Sequence, residues 1–199
     1  MQELTFSHLS NNDGSYKNTW EEDFRYTKSM KIRGLKMLKI ASKVCKWKSI
    51  VDVGCGNQQL KPLVFRLNPE AEYIGIDRLN HCSDTIIADF NKGEYPKVTA
   101  DLAILSGVVE YIYPEMIDRF FSWVCDTSPI IVLSYWPIDF GQKEIMKAAK
   151  RRRRPDSWVN HFTISEVITI FSRRGFFPEM IHRYQKSSQY IMLFGRIIE

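Results

Sequence analysis

The sequence predicts an α/β fold, a mostly parallel sheet with helices on both faces in a three-layer sandwich, closed by a C-terminal antiparallel hairpin. Three observations carry this expectation. From residue 50 onward, short apolar strands alternate with helical patterns. The first strand ends in an acid followed by a Gly-x-Gly turn and a helix. The last two strands are consecutive, joined only by the polar segment Gln185 to Gln189, so one edge of the sheet is antiparallel.

The elements follow in order. Met1 to Gly14 is polar and ends in Asn11-Asn12-Asp13-Gly14, a tail or loop. Between Trp20 and Val44, Met30, Leu35, Leu38 and Ile40 recur among lysines and arginines, predicting one or two amphipathic helices whose cationic faces are solvated. Ile50 to Val53 is a strand, Leu60 to Leu67 a helix with Pro62 in its first turn, and Tyr73 to Ile76 the second strand. Thr85 to Ala88 and Leu102 to Leu105 are the third and fourth. Ile117, Phe120, Phe121 and Val124 make one face of a helix over Pro114 to Val124, and Ile130 to Leu133 is the fifth strand. A last helix runs from Thr163 to Arg174 and stops at Gly175, with strands at Glu179 to Arg183 and Tyr190 to Phe194 behind it.

A chain of 199 residues suits one domain with its own core, divided here into an N-terminal tail and helical lid region (1–48) and a ligand-binding region (49–199). Its 44% apolar, 26% charged and 13% aromatic residues exclude a disordered chain. The strongest apolar stretch, Pro129 to Ile138, is about half of what a membrane-spanning helix requires, and the polar N-terminus shows no signal pattern, so a cytoplasmic location without membrane insertion is expected. Cys45, Cys55, Cys82 and Cys125 form no C-x-x-C pair, and neither a metal site nor bridges are expected. A net charge of +5 and pI near 9.0 give only a mild bias toward anionic substrates or nucleic acid.

The chemistry concentrates in Val51-Asp52-Val53-Gly54-Cys55-Gly56-Asn57. Glycines let the backbone pass close beneath a ligand, and the Asp52 carboxylate can accept from a ligand ammonium group. Asp77 closes the second strand, where a carboxylate grips the two ribose hydroxyls of an adenosine. Strand, acid, turn, helix, strand and acid in this order are far more specific than a lone Gly-x-Gly.

On these residues the chain, from about Ile50 on, resembles the class I S-adenosylmethionine-dependent methyltransferases, whose Rossmann-like domain carries a seven-stranded sheet. The resemblance implies S-adenosylmethionine as cofactor and S-adenosylhomocysteine as product, lying along Asp52, Gly54, Cys55, Gly56 and Asn57, with Asp77 at the ribose and Arg78 among the cofactor contacts. It also implies Asp89 at the adenine amino group and Phe90 packed on the ring, with a loop-capping carboxylate as the lesser reading of Asp89. Ser106 and Gly107, after the fourth strand, are implied at the methionine end. The family's usual third glycine is replaced by Gln58. A nicotinamide-binding dehydrogenase is the rival on the same fold, but its fingerprint requires a glycine near Gln59 for close approach to a pyrophosphate.

Methyl transfer from a sulfonium needs alignment, and a base where the nucleophile is a neutral hydroxyl. Ser106-Gly107-Val108-Val109 stands where DNA amino-methylating enzymes carry Asn/Asp-Pro-Pro-aromatic, and the chain has no Pro-Cys pair for pyrimidine carbon methylation. The acceptor side therefore draws on Glu110 and Tyr111 after the fourth strand, Tyr135 and Trp136 after the fifth, and Asn160 with His161 before the last helix. His161 is the preferred general base, or else it packs at a helix entrance where Thr163 and Glu166 form a capping box. Tyr16 and Trp20 are candidates for a lid. Lys150-Arg151-Arg152-Arg153-Arg154 either binds an anionic acceptor, chiefly through Arg151 and Arg154, or is a solvated helix end. The expected activity is O-methylation of a small polar or anionic acceptor, such as a phosphorylated, nucleotide-linked or polysaccharide sugar. RNA methylation and a non-catalytic cofactor-binding partner subunit remain as alternatives.

Overall fold

The computed structural model describes residues 28–137, 159–160, 162–184 and 189–196. They form a seven-stranded sheet in the order β3-β2-β1-β4-β5-β7-β6, where β1 is Ser49–Val53, β2 Glu72–Asp77, β3 Ile86–Ile87, β4 Leu102–Ser106, β5 Ile130–Tyr135, β6 Phe176–Arg183 and β7 Tyr190–Arg196. The first five strands are parallel, and β7 runs antiparallel between β5 and β6. This is the Rossmann-like α/β sheet and terminal hairpin that the sequence predicts.

The parallel strands are apolar on both faces because both are covered. Ile50, Leu102, Ile104 and Val132 point to one side, where they pack with Met37, Leu38 and Ala41 of α1 (Lys28–Val44) and Leu63 and Val64 of α2 (Lys61–Leu67). Val51, Val53, Ala103, Leu105, Ile131 and Leu133 point to the other. There they meet Phe120, Phe121 and Val124 of α3 (Ile117–Thr127) and Val167 and Phe171 of α4 (Ile164–Ser172). Gly34 sets the approach of α1 to α2, since a Cβ there would lie 2.4 Å from Leu60 Cδ2.

The elements differ from expectation at their ends. One helix is described before β1, within the one or two expected. The third strand shrinks to two residues on the exposed flank of β2, where a short strand limits edge-to-edge pairing. Pro114 to Met116 forms a separate 3-10 turn that leads directly into α3 at Ile117. At the other edge β6 begins at Phe176, three residues before the expected start. Pro178 lies on that edge, where its missing N–H breaks no ladder, and a register shift follows between Pro178 and Met180. The predicted capping box is present: Glu166 N–H donates to Thr163 Oγ1 at 3.1 Å, and Thr163 N–H to Glu166 Oε2 at 2.7 Å.

The chain passes from β1 outward to β2 and β3, then crosses back to lay β4 on the other side of β1. This reversal opens a crevice beyond the carboxyl ends of β1 and β4, the place where open α/β sheets bind ligands. Among the described residues no helix is long and apolar enough to cross a membrane.

Candidate functional site

The turn after β1 is folded onto β2 by its own backbone. Gly54 and Cys55 N–H both donate to Ile76 O, at 2.8 and 3.0 Å. Gly54 (φ +69°) and Gly56 (φ +54°) adopt left-handed backbone conformations. A Cβ at Gly54 would come within 2.6 Å of Val108 Cγ2, so this position is closed to side chains on both grounds.

Asp77 locks this turn to the tip of β2. Its Oδ2 accepts from Gly56 N–H at 2.8 Å, and its Oδ1 from Leu79 N–H at 3.0 Å. An ionised carboxylate offers about four lone-pair sites. With two engaged, Asp77 keeps acceptor capacity for a pair of ligand hydroxyls at the crevice.

Gln58, the residue in place of the third glycine, also has a left-handed backbone, at φ 55°. It is only 5% exposed, and its Nε2 donates to Asp84 Oδ1 at 2.8 Å and Thr85 Oγ1 at 3.0 Å. Lys61 Nζ pairs with the other Asp84 oxygen. Opposite it, a Cβ at Gly75 would sit 3.2 Å from Gln58 Nε2 and 3.0 Å from Cys55 Sγ. The glycine lost from the turn is thus compensated by one on β2, and the long side chain fills the space. A pyrophosphate lying close over such a loop is disfavoured, whereas an adenosine with a thioether tail makes no such demand.

Several expected ligand contacts are engaged in protein instead. Asp52, expected at a ligand ammonium group, is 2% exposed and accepts from Tyr73 O–H at 2.5 Å, because its place in β1 directs it to the α1 and α2 side. Burial pushes its carboxyl up to about 7, opposed by the Tyr73 hydrogen bond and reinforced by the charge of Asp77. Cys55 turns its thiol inward, and burial raises its pKa well above the usual thiol range. Asp89 caps a 3-10 turn by accepting from Asn91 N–H at 3.1 Å. Phe90, expected on an adenine ring, is buried against Phe120 at 5.2 Å and Trp123 at 4.9 Å between ring centroids. Asn57 is exposed and Arg78 half-buried beside the turn.

On the acceptor side, Tyr135 and Asn160 are structural. The Tyr135 hydroxyl accepts from Phe162 N–H at 2.6 Å and donates to Asn160 O at 3.4 Å. Asn160 Nδ2 donates to Val109 O at 3.0 Å and also to Ile112 O. Both side chains are buried, so they pin the loop after β4 rather than face a ligand. His161, Arg151, Arg154, Tyr16 and Trp20 lie outside the described residues.

What the fold does gather at the ends of β4 and β5 is Arg33, Ser106, Gly107, Glu110 and Trp136, with half-buried Tyr111 next in the chain. Glu110 is 1% exposed. Its Oε1 accepts from Trp136 N–H at 3.3 Å, and Oε2 is buried without a hydrogen-bond partner among the described residues. Burial pushes its carboxyl up to about 7 against two backbone hydrogen bonds and the nearby Arg33 charge. Arg33, on a helix face expected to be solvated, is instead 7% exposed and donates from Nε to Ser106 Oγ at 3.1 Å. The signal was present in the sequence: Arg33 stands one helical turn before Met37 and two before Ala41, on the buried stripe.

No protein-family model and no curated protein matches the chain. Solved structures do. The fold is similar to that of the pyocyanin biosynthetic protein PhzM, with a TM-score of 0.60 and 16% identity over 85% of this chain and 56% of that one. It is similar to human N-acetylserotonin methyltransferase in complex with SAM, at TM-score 0.64 and 16% identity over 84% of this chain and 52% of that one. It is also similar to the magnesium protoporphyrin IX methyltransferase of Synechocystis with bound SAH, at TM-score 0.58 and 13% identity over 89% and 91% of the two chains. The chain spans little more than half the length of the first two. The fold is that of the S-adenosylmethionine-dependent methyltransferases.

Proposed function

We propose that this protein is an S-adenosylmethionine-dependent methyltransferase that methylates an oxygen of a small polar or anionic acceptor. The observation that carries the proposal is the pairing of Asp77 with the Gly54–Gly56 turn at the switch point of the sheet. A turn with two left-handed glycines and a carboxylate with spare acceptor capacity suit a nucleoside whose ribose offers two hydroxyls and whose other end carries no phosphate. Bound there, S-adenosylmethionine supplies an electrophilic methyl carbon on a positively charged sulfur.

Each group of this chain then has a stated task. Asp77 accepts from the ribose hydroxyls, and the Gly54–Gly56 backbone lies under the sugar. Ser106 and the left-handed Gly107 (φ +73°) flank the methionine end. Glu110, whose buried carboxyl is held near 7, takes the proton of the acceptor hydroxyl as the oxygen attacks. Trp136 supplies an apolar wall, and the surrounding burial keeps water from the reacting oxygen.

The test is calorimetric titration with S-adenosylhomocysteine and, separately, with NAD. Micromolar binding of the first and none of the second is expected. A response to NAD alone overturns the proposal. Transfer of labelled methyl from the cofactor into a fractionated metabolite pool identifies the acceptor, and label found solely in RNA rejects the small-molecule assignment.

A further inference from the structure

Outside the crevice, the outer face of α1 carries a charge pattern that methyl transfer does not use. Lys31, Arg33, Lys36, Lys39, Lys43 and Lys46 fall in a stretch without a single acid. Arg33 turns inward, whereas Lys31, Lys39, Lys43 and Lys46 are exposed and Lys36 is half-buried. Ile32, Lys36, Lys39 and Lys43 recur at helical spacing and so form one row along the surface. None of these lysines is ion-paired among the described residues, where the lysines that are paired are Lys61 with Asp84 and Lys92 with Asp89. Glu70, Glu72 and Asp101 stand beyond the C-terminal end of α1, around Lys48, whose N–H donates to Asp101 and whose carbonyl accepts from Glu72 N–H.

This arrangement is unfavourable to the helix by itself. Lys36 with Lys39, and Lys39 with Lys43, are like-charged neighbours on one face, and Lys31 stands in a first turn that holds no acid, at the positive end of the helix dipole. A solvated face normally intersperses both signs, while a row of one sign gains when it meets a surface of the other. Apolar side chains accompany the row, with Ile32 43% exposed near its start and Val44 41% exposed at its end. Helix α2 lies alongside, with Gly34 against Leu60 at one end and Asn68 Nδ2 donating to Trp47 O at 2.9 Å at the other. It adds Phe65 and Leu67, both exposed, with exposed Arg66 between them.

We propose that the face made by α1 and α2 docks on an anionic lipid surface, with the lysines over the headgroups and Ile32, Val44 and Leu67 against the interface. Lysine is a compact charge on a flexible stem, suited to a diffuse field of headgroups, and a cluster of four to eight cations on an amphipathic helix is what such a surface attracts. A nucleic acid calls for arginine forks and stacking rings, and Phe65 is the only aromatic residue of the two helices. The docking is peripheral, since no helix among the described residues is long and apolar enough to cross a membrane. Arg33 ties the start of α1 to the tip of β4, so a bilayer under this face runs past the mouth of the crevice. The docking does not rest on the methyltransferase assignment.

The experiment is co-sedimentation of the full chain with vesicles of mixed phosphatidylserine and phosphatidylcholine, and with vesicles of phosphatidylcholine alone. Binding to the anionic vesicles only is expected, and it should weaken as salt rises from about 0.1 to 1 M and the Debye length falls from about 10 to 3 Å. Combining Lys36→Gln, Lys39→Gln and Lys43→Gln is expected to weaken it by about a hundredfold, at about fivefold for each lysine. A control variant combines Lys97→Gln, Arg119→Gln and Arg173→Gln, which removes three exposed cations on the α3 and α4 side of the sheet. It is expected to bind nearly as the wild type does.

Equal weakening in the two triple variants means that net charge alone attracts the protein, and overturns the docking face. No binding to anionic vesicles overturns it as well. So does binding of a labelled RNA oligomer through Lys36, Lys39 and Lys43 without affinity for vesicles, which makes the face a nucleic-acid surface. Melting temperature checks that both variants fold. Should the first not, Lys39→Gln alone carries the comparison, with a weakening of about fivefold expected. Titration with S-adenosylhomocysteine is read separately: a protein that docks through α1 and binds no S-adenosylhomocysteine keeps the docking face and loses the methyltransferase assignment.

Discussion

Gly54 and Gln58 share one turn and one backbone demand, and they meet it by opposite means. Gly54 has neither conformational nor spatial room for a Cβ. Gly54→Ala is therefore expected to lose about 1–3 kcal/mol of stability and to bind S-adenosylhomocysteine poorly. Gly93→Ala is the control: at φ +78° it bears a similar backbone cost, but its Cβ meets only Met116 Cε at 3.4 Å, outside the crevice. Equal losses of affinity in the two variants, read by calorimetry beside melting temperature, would show that the turn has no special role. At Gln58 the left-handed backbone is held by two side-chain hydrogen bonds and by the space over Gly75. Gln58→Gly relaxes the backbone but abandons both bonds, and a net loss of about 1 kcal/mol in urea unfolding is expected. A stabilised variant would refute that balance. For Glu110, replacement by Gln is expected to lower kcat by about 10²–10⁴ with little change in KM. In the wild type, kcat/KM should climb as pH rises through about 7, because only the deprotonated carboxylate accepts a proton. A pH profile that Glu110→Gln leaves unaltered would remove Glu110 from the chemistry.

At the scale of the element, α1 illustrates both what a one-dimensional pattern conveys and what it withholds. The buried Leu38 and Ile40 are legible as apolar positions, and the central strands are legible because burial on both faces leaves them almost wholly apolar. The capping box of α4 was likewise explicit in Thr163 and Glu166. Arg33 is harder to read: its spacing to Met37 and Ala41 puts it on the buried stripe, but a cation among lysines resembles a solvated face until neighbouring β4 supplies Ser106 as its partner. The burial of Tyr135, Asn160 and Phe90 is illegible for the same reason. A polar or aromatic residue at a strand end looks the same in sequence whether it faces a ligand or satisfies a buried loop, and here Tyr135 and Asn160 take up the polar backbone groups of Phe162, Val109 and Ile112. The extent of β6 was underestimated because Pro178 argues against a strand unless the strand is known to be an edge. The close approach of α1 to α2 gives a test at this scale. Gly34→Val puts side-chain atoms where even a Cβ would lie 2.4 Å from the buried Leu60, and a loss of about 1–3 kcal/mol is expected as a lower urea midpoint at unchanged slope. A midpoint equal to that of the wild type would mean that the two helices are not held as closely as described.

For the molecule as a whole, the site imposes a pH dependence on stability. Asp52 and Glu110, on adjacent strands and their following loops, both have carboxyls raised to about 7 chiefly by burial. In the unfolded chain each titrates near 4. Between about pH 4 and 7 the folded protein therefore binds more protons than the unfolded one, so stability falls as pH rises through this window and levels off above it. Asp84 and Asp101 act in the opposite sense. Asp84, paired with Lys61 and Gln58, and Asp101, which accepts from Lys48 and Ser49 N–H at 2.6 and 2.9 Å, have lowered pKa values, and their contribution is lost only as pH falls below about 4. The two effects are separable by difference. The stability of Asp52→Asn and of Glu110→Gln relative to the wild type should rise from pH 5 to pH 8, since each variant no longer places an ionisable group in a buried position. Urea unfolding at the two pH values measures it, and subtraction removes every titration that the proteins share. A difference that stays flat across the window would mean that these carboxyls titrate normally. Glu110 would then be fully ionised well below neutral pH, and the rise of activity through pH 7 would need another group to explain it.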